Sequence, residues 1–281
     1  MTVDIANHDG TIIWDGVYYF ALSDHPNISR WELKKLLAFM HYEKMHGRQT
    51  EIVCDDAGIM LAVNDAIAHP ETVADAVTPE KITECTACKQ KGCLTEFVCH
   101  TAEIENAKKI LSGGKLLSAL KSSGKPAKEL AADIRNGAGD PEDYFEYIMF
   151  SWGNCITGDS LATERSFVRR HGRLPSQAEL DEENSERLIT GVRFYFLYGD
   201  MIRHPGYVFD GYHPVKIKDE LILTDWLYAC VVPEEHQDVF AGAVPAGIAD
   251  RVHYLRRDNL GIWDWSEKAY GVVMLEGLLE V

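Results

Sequence analysis

The sequence predicts a mixed α and β fold with a substantial apolar core. The chain has 281 residues, of which 46% are hydrophobic, which argues against disorder and fits one large domain or a domain with a small companion. Capped segments with apolar residues at helical spacing are frequent up to about residue 190. Aromatic and β-branched runs broken by Gly, Pro and Asp follow from residue 191, and such runs are typical of strands.

Residues 1–80 are predicted to form either a small α/β lobe or an N-terminal extension of the main domain. In "TIIWDGVYYFAL" two apolar runs meet at Asp15-Gly16, a dipeptide suited to a hairpin turn. Ser29 and Glu32 form a capping box at the start of a helix. The segments "TEIVC" and "GIMLAVNDAIA" then predict a strand and a second helix.

The main domain is predicted to span residues 81–281, because the segment 71–92 is polar and marks a boundary. Its first strand is "EFVCH", and Thr101 is expected to cap the helix that follows. His100 therefore lies at the carboxyl end of a strand, directly before a helix N-terminus, where α/β proteins commonly bind ligands. The alternative for a single histidine is a core residue that bonds to the backbone.

The region from about residue 120 to 190 is predicted to be a long helical insertion, with Ser176 and Glu179 as one start signal. Three strands are predicted after it: "GVRFYFLYGDMI", "PVKIKDELIL" and "WLYACVVP". The C-terminal "AYGVVMLEGLLEV" is expected to close the sheet. The sequence thus predicts that the strands on both sides of the insertion form one core.

The charge balance is strongly acidic. Lys and Arg total 28 against 44 Asp and Glu, a formal net charge of -16, which disfavours nucleic acid as a partner. The segment "RSFVRRHGR" (165–173) concentrates four arginines, and it either meets a phosphate-bearing ligand or forms the solvated side of a helix end. No apolar run of about 18 residues occurs, so no membrane segment is expected, and a cytoplasmic location is predicted.

The seven cysteines are odd in number and unevenly spread, which favours reduced thiols over a disulfide framework. Within "CTACKQKGC", Cys85, Cys88 and Cys93 have the spacing C-x2-C-x4-C, and Cys99 follows six residues later. A C-x2-C turn can supply two zinc ligands, so these four residues are candidate ligands of a structural zinc ion. Incidental reduced cysteines and a redox sensor are the alternatives.

Three segments resemble, in order, the motifs of the ADP-ribosyltransferase superfamily, and most closely those of the bacterial toxins that ADP-ribosylate DNA. "VCHTAEIENAKKILSGGKLLSA" is similar to a strand that ends in histidine and leads into a helix. "VRFYFLYGDMI" is similar to an aromatic strand of these toxins, and "KDELIL" followed by "WLYACVVP" to their closing hairpin. Together the segments span residues 97–233, about half of the chain.

The resemblance implies an α+β, ADP-ribosyltransferase-like split antiparallel sheet and an enzyme that uses NAD as a substrate. Glu220 would stabilise the ribose cation that forms when the bond to nicotinamide breaks, and His100 would hold ribose hydroxyls. The residues expected to bind NAD are His100, Thr101, Tyr195, Tyr207 and Tyr212. An aromatic face among them would orient the cationic nicotinamide ring.

The chain departs from these toxins at two positions, and its acceptor is open. Ala102 stands where they carry threonine, and "LYGD" replaces a segment that contains arginine. An arginine for NAD would then come from Arg193, Arg203 or residues 165–173. The acceptor is a nucleotide base, a protein side chain or a small molecule, and an antitoxin-like protein is a candidate partner. The alternative function is a non-catalytic zinc-containing module for protein interaction.

Overall fold

The computed structural model describes residues 1–7, 12–14, 16–78, 81–82, 93–94, 96–132, 140–154 and 156–277. Within these residues the protein is an α+β structure with a four-stranded sheet near the N-terminus and a seven-stranded sheet in the rest of the chain. Strands and helices are numbered in chain order. None of the helices in the described ranges is long and apolar enough to cross a membrane.

The N-terminal sheet has the order β2-β3-β1-β4. Its strands are β1 (Thr2–Ala6), β2 (Ile12–Trp14), β3 (Val17–Ala21) and β4 (Glu51–Val53). The predicted hairpin is confirmed, because β2 and β3 pair antiparallel and Gly16 has a φ of 81° in the turn. The strand β1, which the sequence patterns did not indicate, pairs parallel with both β3 and β4.

Three helices cover this sheet: α1 (Arg30–Met45), α2 (Ala57–Ala68) and α3 (Glu71–Ala74). The capping box of α1 is confirmed, since the Ser29 side chain accepts from the Glu32 backbone N–H and Glu32 accepts from Ser29. Apolar side chains of α1, α2 and the sheet form one cluster; its buried members are Val3, Ile5, Tyr18, Phe20, Leu36, Phe39, Ile59 and Val63. Residues 1–78 therefore have a hydrophobic core of their own.

The large sheet has the order β11-β12-β9-β7-β10-β14-β15. Its strands are β7 (Phe97–Ala102), β9 (Tyr147–Trp152), β10 (Val192–Leu197), β11 (Tyr207–Val208), β12 (Val215–Lys218), β14 (Ala229–Pro233) and β15 (Val252–Leu255). All neighbours pair antiparallel except β14 and β15, which are parallel. Two short ladders pair β5 (Lys81–Ile82) with β6 (Cys93–Leu94) and β8 (Lys115–Leu117) with β13 (Glu220–Ile222).

The remaining helices connect these strands and cover the sheet. They are α4 (Ile104–Gly113), α5 (Ala119–Ser123), α6 (Ala127–Ala131), α7 (Thr157–His171), α8 (Gln177–Glu186), α9 (Tyr198–Met201), α10 (Leu223–Trp226) and α11 (Ile262–Gly277). One face of the sheet packs against α4, β8 and β13 in the largest apolar cluster. The opposite face packs against α11 through Trp265 and Ala269.

The large sheet divides next to its central strand. Six residue pairs join β7 to β10, whereas only Val98 with Trp152 and Cys99 with Ser151 join β7 to β9. Beyond Cys99, β7 remains paired with β10, while β9 remains paired with β12. His100 is the first residue of β7 past the last of these pairs, so it lies where the two halves separate.

Four sequence-based expectations about secondary structure are wrong. The described part of the C-terminal segment, residues 269–277, belongs to the helix α11 rather than to a strand. The proposed helical insertion contains β9, so the sheet passes through it. The segment 214–223 forms two strands with different partners, because Asp219 adopts a φ of 68° between them. Thr101 does not cap α4: β7 continues to Ala102, and Glu103 precedes the helix without a side-chain cap.

Candidate functional site at the division of the sheet

The imidazole of His100 bonds across the division between β7 and β9. Its Nδ1 lies 3.0 Å from the backbone oxygen of Met149, and its ring meets the Phe150 ring edge to face at 5.9 Å between centroids. Antiparallel register places His100 opposite Phe194, so these two side chains share one face of the sheet. His100 thus joins the two halves of the sheet where no backbone pairing does.

The bond to Met149 settles which ring nitrogen of a neutral His100 carries the proton. A carbonyl oxygen can only accept, so Nδ1 must donate, and Nε2 then keeps a lone pair that can accept. Burial lowers the pKa of His100, the bond to Met149 opposes this shift, and the charge of Arg165 lowers the pKa further. At neutral pH the ring is therefore an uncharged acceptor at Nε2.

We expect His100 to titrate below the ordinary histidine pKa of about 6.5. Because the folded protein protonates this group less readily than the unfolded chain, stability from the neutral ring is complete above pH 6.5 and decreases as the pH falls below it. The measurement is a histidine Cε1–H NMR titration, with His100→Gln assigning the signal. A His100 signal that titrates at or above pH 6.5 would contradict the burial argument.

Arg165 on α7 is the cation whose charge lowers the pKa of His100. The other three arginines of residues 165–173 form ion pairs; these are Arg169 with Glu103 at 3.0 Å, Arg170 with Glu183 at 2.6 Å and Arg173 with Glu179 at 2.6 Å. Arg165 is half-buried and has no hydrogen bond or ion pair to any residue within the described ranges. Three of the four arginines therefore have a carboxylate in direct contact, whereas the charge of Arg165 acts on the neighbouring Glu164 without an ion pair.

Glu220 is the first residue of β13, which directly follows β12 in the chain. In the large sheet, β9 lies between β12 and the strand of His100, β7. Its side chain is 43% exposed, and its Oε2 lies 3.2 Å from Lys115 Nζ. The neighbouring Leu221 is fully buried in the largest apolar cluster, so strand alternation turns Glu220 outward. Both backbone groups of the preceding residue, Asp219, are hydrogen-bonded. Its N–H donates to the Glu146 carbonyl, and its carbonyl accepts from the Ser118 N–H.

Tyr195 and Thr101 lie on the face of the sheet opposite to His100. Tyr195 pairs with Cys99 and is fully buried, with its hydroxyl 3.4 Å from Arg193 Nη1. The Thr101 side chain is enclosed by Gly158 and Gly191, where an added Cβ would approach it to 2.2 and 2.5 Å. The structure therefore does not bring either residue together with His100.

Tyr207 and Tyr212 lie in two other environments. Tyr207 on β11 is half-buried at the edge of the largest apolar cluster and interacts with Tyr198. Burial raises its pKa well above the ordinary tyrosine value. Tyr212 packs edge-on against Tyr18 of the N-terminal lobe, with centroids 5.7 Å apart. The five residues expected to bind NAD are thus distributed over several environments, and His100 alone lies at the division of the sheet.

Two of the candidate arginines are already paired. Arg193 is fully buried and forms an ion pair with the fully buried Asp159. Arg203 is exposed and pairs with Asp200. Sequence reasoning also missed Met149 and Phe150, because β9 lies in the segment interpreted as helical. The run "YIMFSW" has the aromatic and β-branched composition of a strand, and this signal could have indicated it.

The cysteine cluster lies largely outside the described residues. Cys85 and Cys88 are not described, and Cys93 is described only as backbone in β6. Cys99 is buried and faces away from His100, beside Tyr195. Across the ranges that the structure does describe, no group of three or more His, Cys, Asp or Glu side chains could hold a metal ion. The zinc hypothesis stays a prediction.

No family model, curated protein or solved structure significantly matches the chain.

Proposed function

We propose that the protein is an NAD-dependent ADP-ribosyltransferase with an ADP-ribosyltransferase-like fold, which cleaves the bond between nicotinamide and ribose and transfers ADP-ribose to an acceptor. The observation that carries the proposal is the position of His100 at the division of a largely antiparallel sheet, with Nδ1 bonded to Met149, and the lowered pKa of its ring leaves Nε2 as an acceptor. The order of the three sequence motifs supports it. Two of them form the adjacent strands β7 and β10, and the third begins at β13.

His100 would bind the ribose next to the nicotinamide. Nε2 accepts a hydrogen bond from a ribose hydroxyl, while Nδ1 remains bonded to Met149 and fixes the ring orientation. A neutral ring suits this task, because a second positive charge would oppose the cationic character that the ribose gains as the bond breaks. Arg165 would bind the diphosphate, since a guanidinium matches two phosphate oxygens at once.

Glu220 would act on the reacting carbon of the ribose. A carboxylate near an oxocarbenium-like sugar stabilises its positive charge, and it can accept the proton of the attacking acceptor. Nicotinamide leaves with the bonding electron pair and becomes neutral, and the acceptor oxygen or nitrogen forms the new bond to the ribose carbon. Lys115 pairs with Glu220 at 3.2 Å in the free protein, so an acceptor or NAD would have to take the place of this exposed partner.

The proposal gives Tyr195 no contact with NAD. Its ring is fully buried behind the sheet, and a stacking partner must reach the ligand. Tyr207 and Tyr212 likewise receive no role here, because the contacts of the described residues connect them to Tyr198 and to Tyr18. The proposed site therefore consists of His100, Arg165 and Glu220.

We expect purified protein to release nicotinamide from NAD, and Glu220→Gln to slow this release about 100-fold or more, as loss of a charge-stabilising or acid–base group typically does. His100→Gln should weaken NAD binding and slow the reaction. The measurements are chromatographic nicotinamide release and transfer of labelled ADP-ribose to candidate nucleotide, protein and small-molecule acceptors.

Glu129→Gln is the matched control for Glu220→Gln. Glu129 is also exposed and also pairs with a lysine, Lys125, at 2.7 Å, but it lies on α6. This control should retain full activity and the same circular dichroism spectrum. The proposal fails if the wild-type protein neither binds nor consumes NAD with any of these acceptors, or if Glu220→Gln is as active as Glu129→Gln.

A further inference from the structure

The N-terminal lobe carries an open groove of about 890 Å³ along α1. The other wall comes from the end of α2, from α3 and from Phe209. This volume lies in the range of small-molecule sites. The groove belongs to the lobe that the proposed NAD site does not use, and none of its lining residues is part of that site.

The charge of the groove is opposite to that of the protein. Its lining includes Lys34, His41, Lys44 and Arg48 but no Asp or Glu, although acidic residues outnumber Lys and Arg by 44 to 28 in the whole chain. A concave surface lined by one sign of charge concentrates ligands of the other sign. The lining therefore selects for an anion.

These basic groups differ in how free they are to bind. Lys34 Nζ donates to the Ala76 carbonyl at 2.8 Å. Arg48 is held by Glu43 at 2.7 Å and Asp143 at 2.6 Å. The side chains of His41 and Lys44 are exposed and have no hydrogen bond or ion pair to another described residue. His41 and Lys44 are three residues apart on α1, so they lie on the same face of the helix.

The rest of the lining is mainly aliphatic. Leu37 and Met40 on α1 and Ile67 at the end of α2 are partly exposed, and Ile67 is 41% exposed. Phe209 is the aromatic member, and its ring already stacks on Trp31 with centroids 5.4 Å apart. A surface of this kind gains free energy by covering an aliphatic chain, at roughly 25 cal/mol per Å² of apolar area removed from water. The uncharged polar side chains of the lining are Gln49 and Thr50, so ADP is included in the test as a competing class of ligand.

The spacing along α1 also fits an elongated ligand. Lys34 and Lys44 are ten residues apart, which corresponds to about 15 Å along a helix axis. Leu37 and Met40 lie between these two lysines along α1, and His41 and Lys44 lie toward Arg48. The arrangement thus places an apolar stretch of α1 between Lys34, which donates to a backbone carbonyl, and the pair of His41 and Lys44.

We propose that the groove is a binding site for a single-chain aliphatic anion, with the chain on Leu37, Met40 and Ile67 and the acidic head on His41 and Lys44. This site is independent of the proposed transferase activity. A carboxylate and a phosphate monoester present the same chemistry to these groups, and both are to be tested as head groups.

The test is isothermal titration calorimetry of the full chain with dodecanoate and with dodecyl phosphate, each below its micelle concentration. Dodecyltrimethylammonium is the matched ligand of opposite charge, and ADP represents nucleotides. We expect both anionic ligands to bind and the cationic one to bind at least tenfold more weakly. The ratio of affinities for dodecanoate and dodecyl phosphate identifies the preferred head group.

Lys44→Glu should weaken dodecanoate binding about tenfold or more, as loss of a hydrogen bond to a charged group does. Ile67→Asp should weaken it as well, because it places a carboxylate beside the chain. Lys128→Glu, the same charge change at an exposed residue of α6, should leave binding unchanged. Both groove residues are exposed, and matching circular dichroism spectra will show that each variant is folded.

Any one of the following results would overturn the inference. The first is that neither anionic ligand binds to the wild-type protein. The second is that dodecyltrimethylammonium binds as tightly as dodecanoate, or that Lys44→Glu behaves as Lys128→Glu does. The third is that ADP binds in a manner sensitive to Lys44→Glu while the aliphatic anions do not, which would make the site a nucleotide site. Loss of NAD turnover in Glu220→Gln has no bearing on these outcomes.

Discussion

Replacing Asp159 by Ala is expected to lower the free energy of unfolding by about 3–5 kcal/mol, the usual cost of breaking a buried ion pair. Arg193 and Asp159 are both fully buried. Asp159 accepts from Arg193 and, at 2.8 Å, from the backbone N–H of Gly191. The variant leaves a guanidinium inside the protein whose remaining hydrogen-bond partners among the described residues are Ser266 and Tyr195, and neither carries a compensating charge.

Urea unfolding at pH 7, followed by circular dichroism, measures this loss. The matched control is Asp200→Ala, which removes the partner of the exposed Arg203 and should cost less than about 1 kcal/mol. The double variant Asp159→Leu/Arg193→Met should recover much of the stability, because it removes both charges together. If Asp159→Ala and Asp200→Ala unfold at the same urea concentration, the buried pair does not stabilise the protein as the geometry implies.

Replacing Asp210 by Ala is also expected to lower the free energy of unfolding by about 3–5 kcal/mol. Asp210 lies at the contact between the N-terminal lobe and the large sheet. Lys216 of β12 is fully buried, with Nζ 3.2 Å from Asp210 Oδ2 and 2.9 Å from the hydroxyl of Tyr42 on α1. The same ammonium lies 3.6 Å from the centroid of the Tyr144 ring. Without Asp210, the ammonium would keep the Tyr42 hydroxyl, the aromatic faces and the charges of Asp140 and Asp143 beyond ion-pair distance, and these do not replace a carboxylate in direct contact.

The pH dependence of this loss has a definite sign. Burial raises the pKa of Asp210, but the opposing effects of His213 and Lys216 are larger in sum and hold it below the ordinary aspartate value. The carboxylate therefore contributes its full stability above the unfolded pKa of about 3.9, and this contribution decreases as the pH falls below it. Urea unfolding at pH 7 and pH 3 should show a smaller difference between wild type and Asp210→Asn at the lower pH.

Lys218→Ala is the control for this second prediction. Lys218 lies two residues from Lys216 on the same strand and pairs with Glu146 at 3.4 Å, but both of these side chains are about half exposed. The Lys218→Ala variant should lose less than about 1 kcal/mol of unfolding free energy at both pH values. A Lys218→Ala variant as unstable as Asp210→Ala would show that the strand, rather than the buried charge pair, is sensitive to substitution.

The local signals of the sequence predicted local structure well where capping and turn chemistry acted alone. The capping boxes at Ser29 and Ser176 are both present, and the hairpin turn occurs at Gly16. These signals depend on residues a few positions apart, whose geometry needs no tertiary contact. The strand at His100 and the helix after it were predicted for the same reason.

The errors occur where long-range packing outweighs local preference. The last segment, rich in Val and Leu, forms α11 because Trp265, Ala269 and Val273 pack together on the back of the sheet. The strand β9 is paired on both edges by segments distant in sequence, and no local pattern contains that information. Tyr195 shows the same limit, since its side of the sheet is set by the register of β10 on β7.

The sequence by itself determined the α+β composition, the capping boxes at Ser29 and Ser176, the strand that contains His100 and the order of the three motifs, although this strand continues two residues past His100. Only the tertiary structure decided that the sheet divides at His100, that Met149 fixes its ring, and that Arg165 is the unpaired arginine of its cluster within the described residues. The physical reason is that capping and strand propensity act between neighbouring residues. The pairing of strands, the burial of charges and the pKa of a histidine depend on side chains that the fold brings together from distant positions.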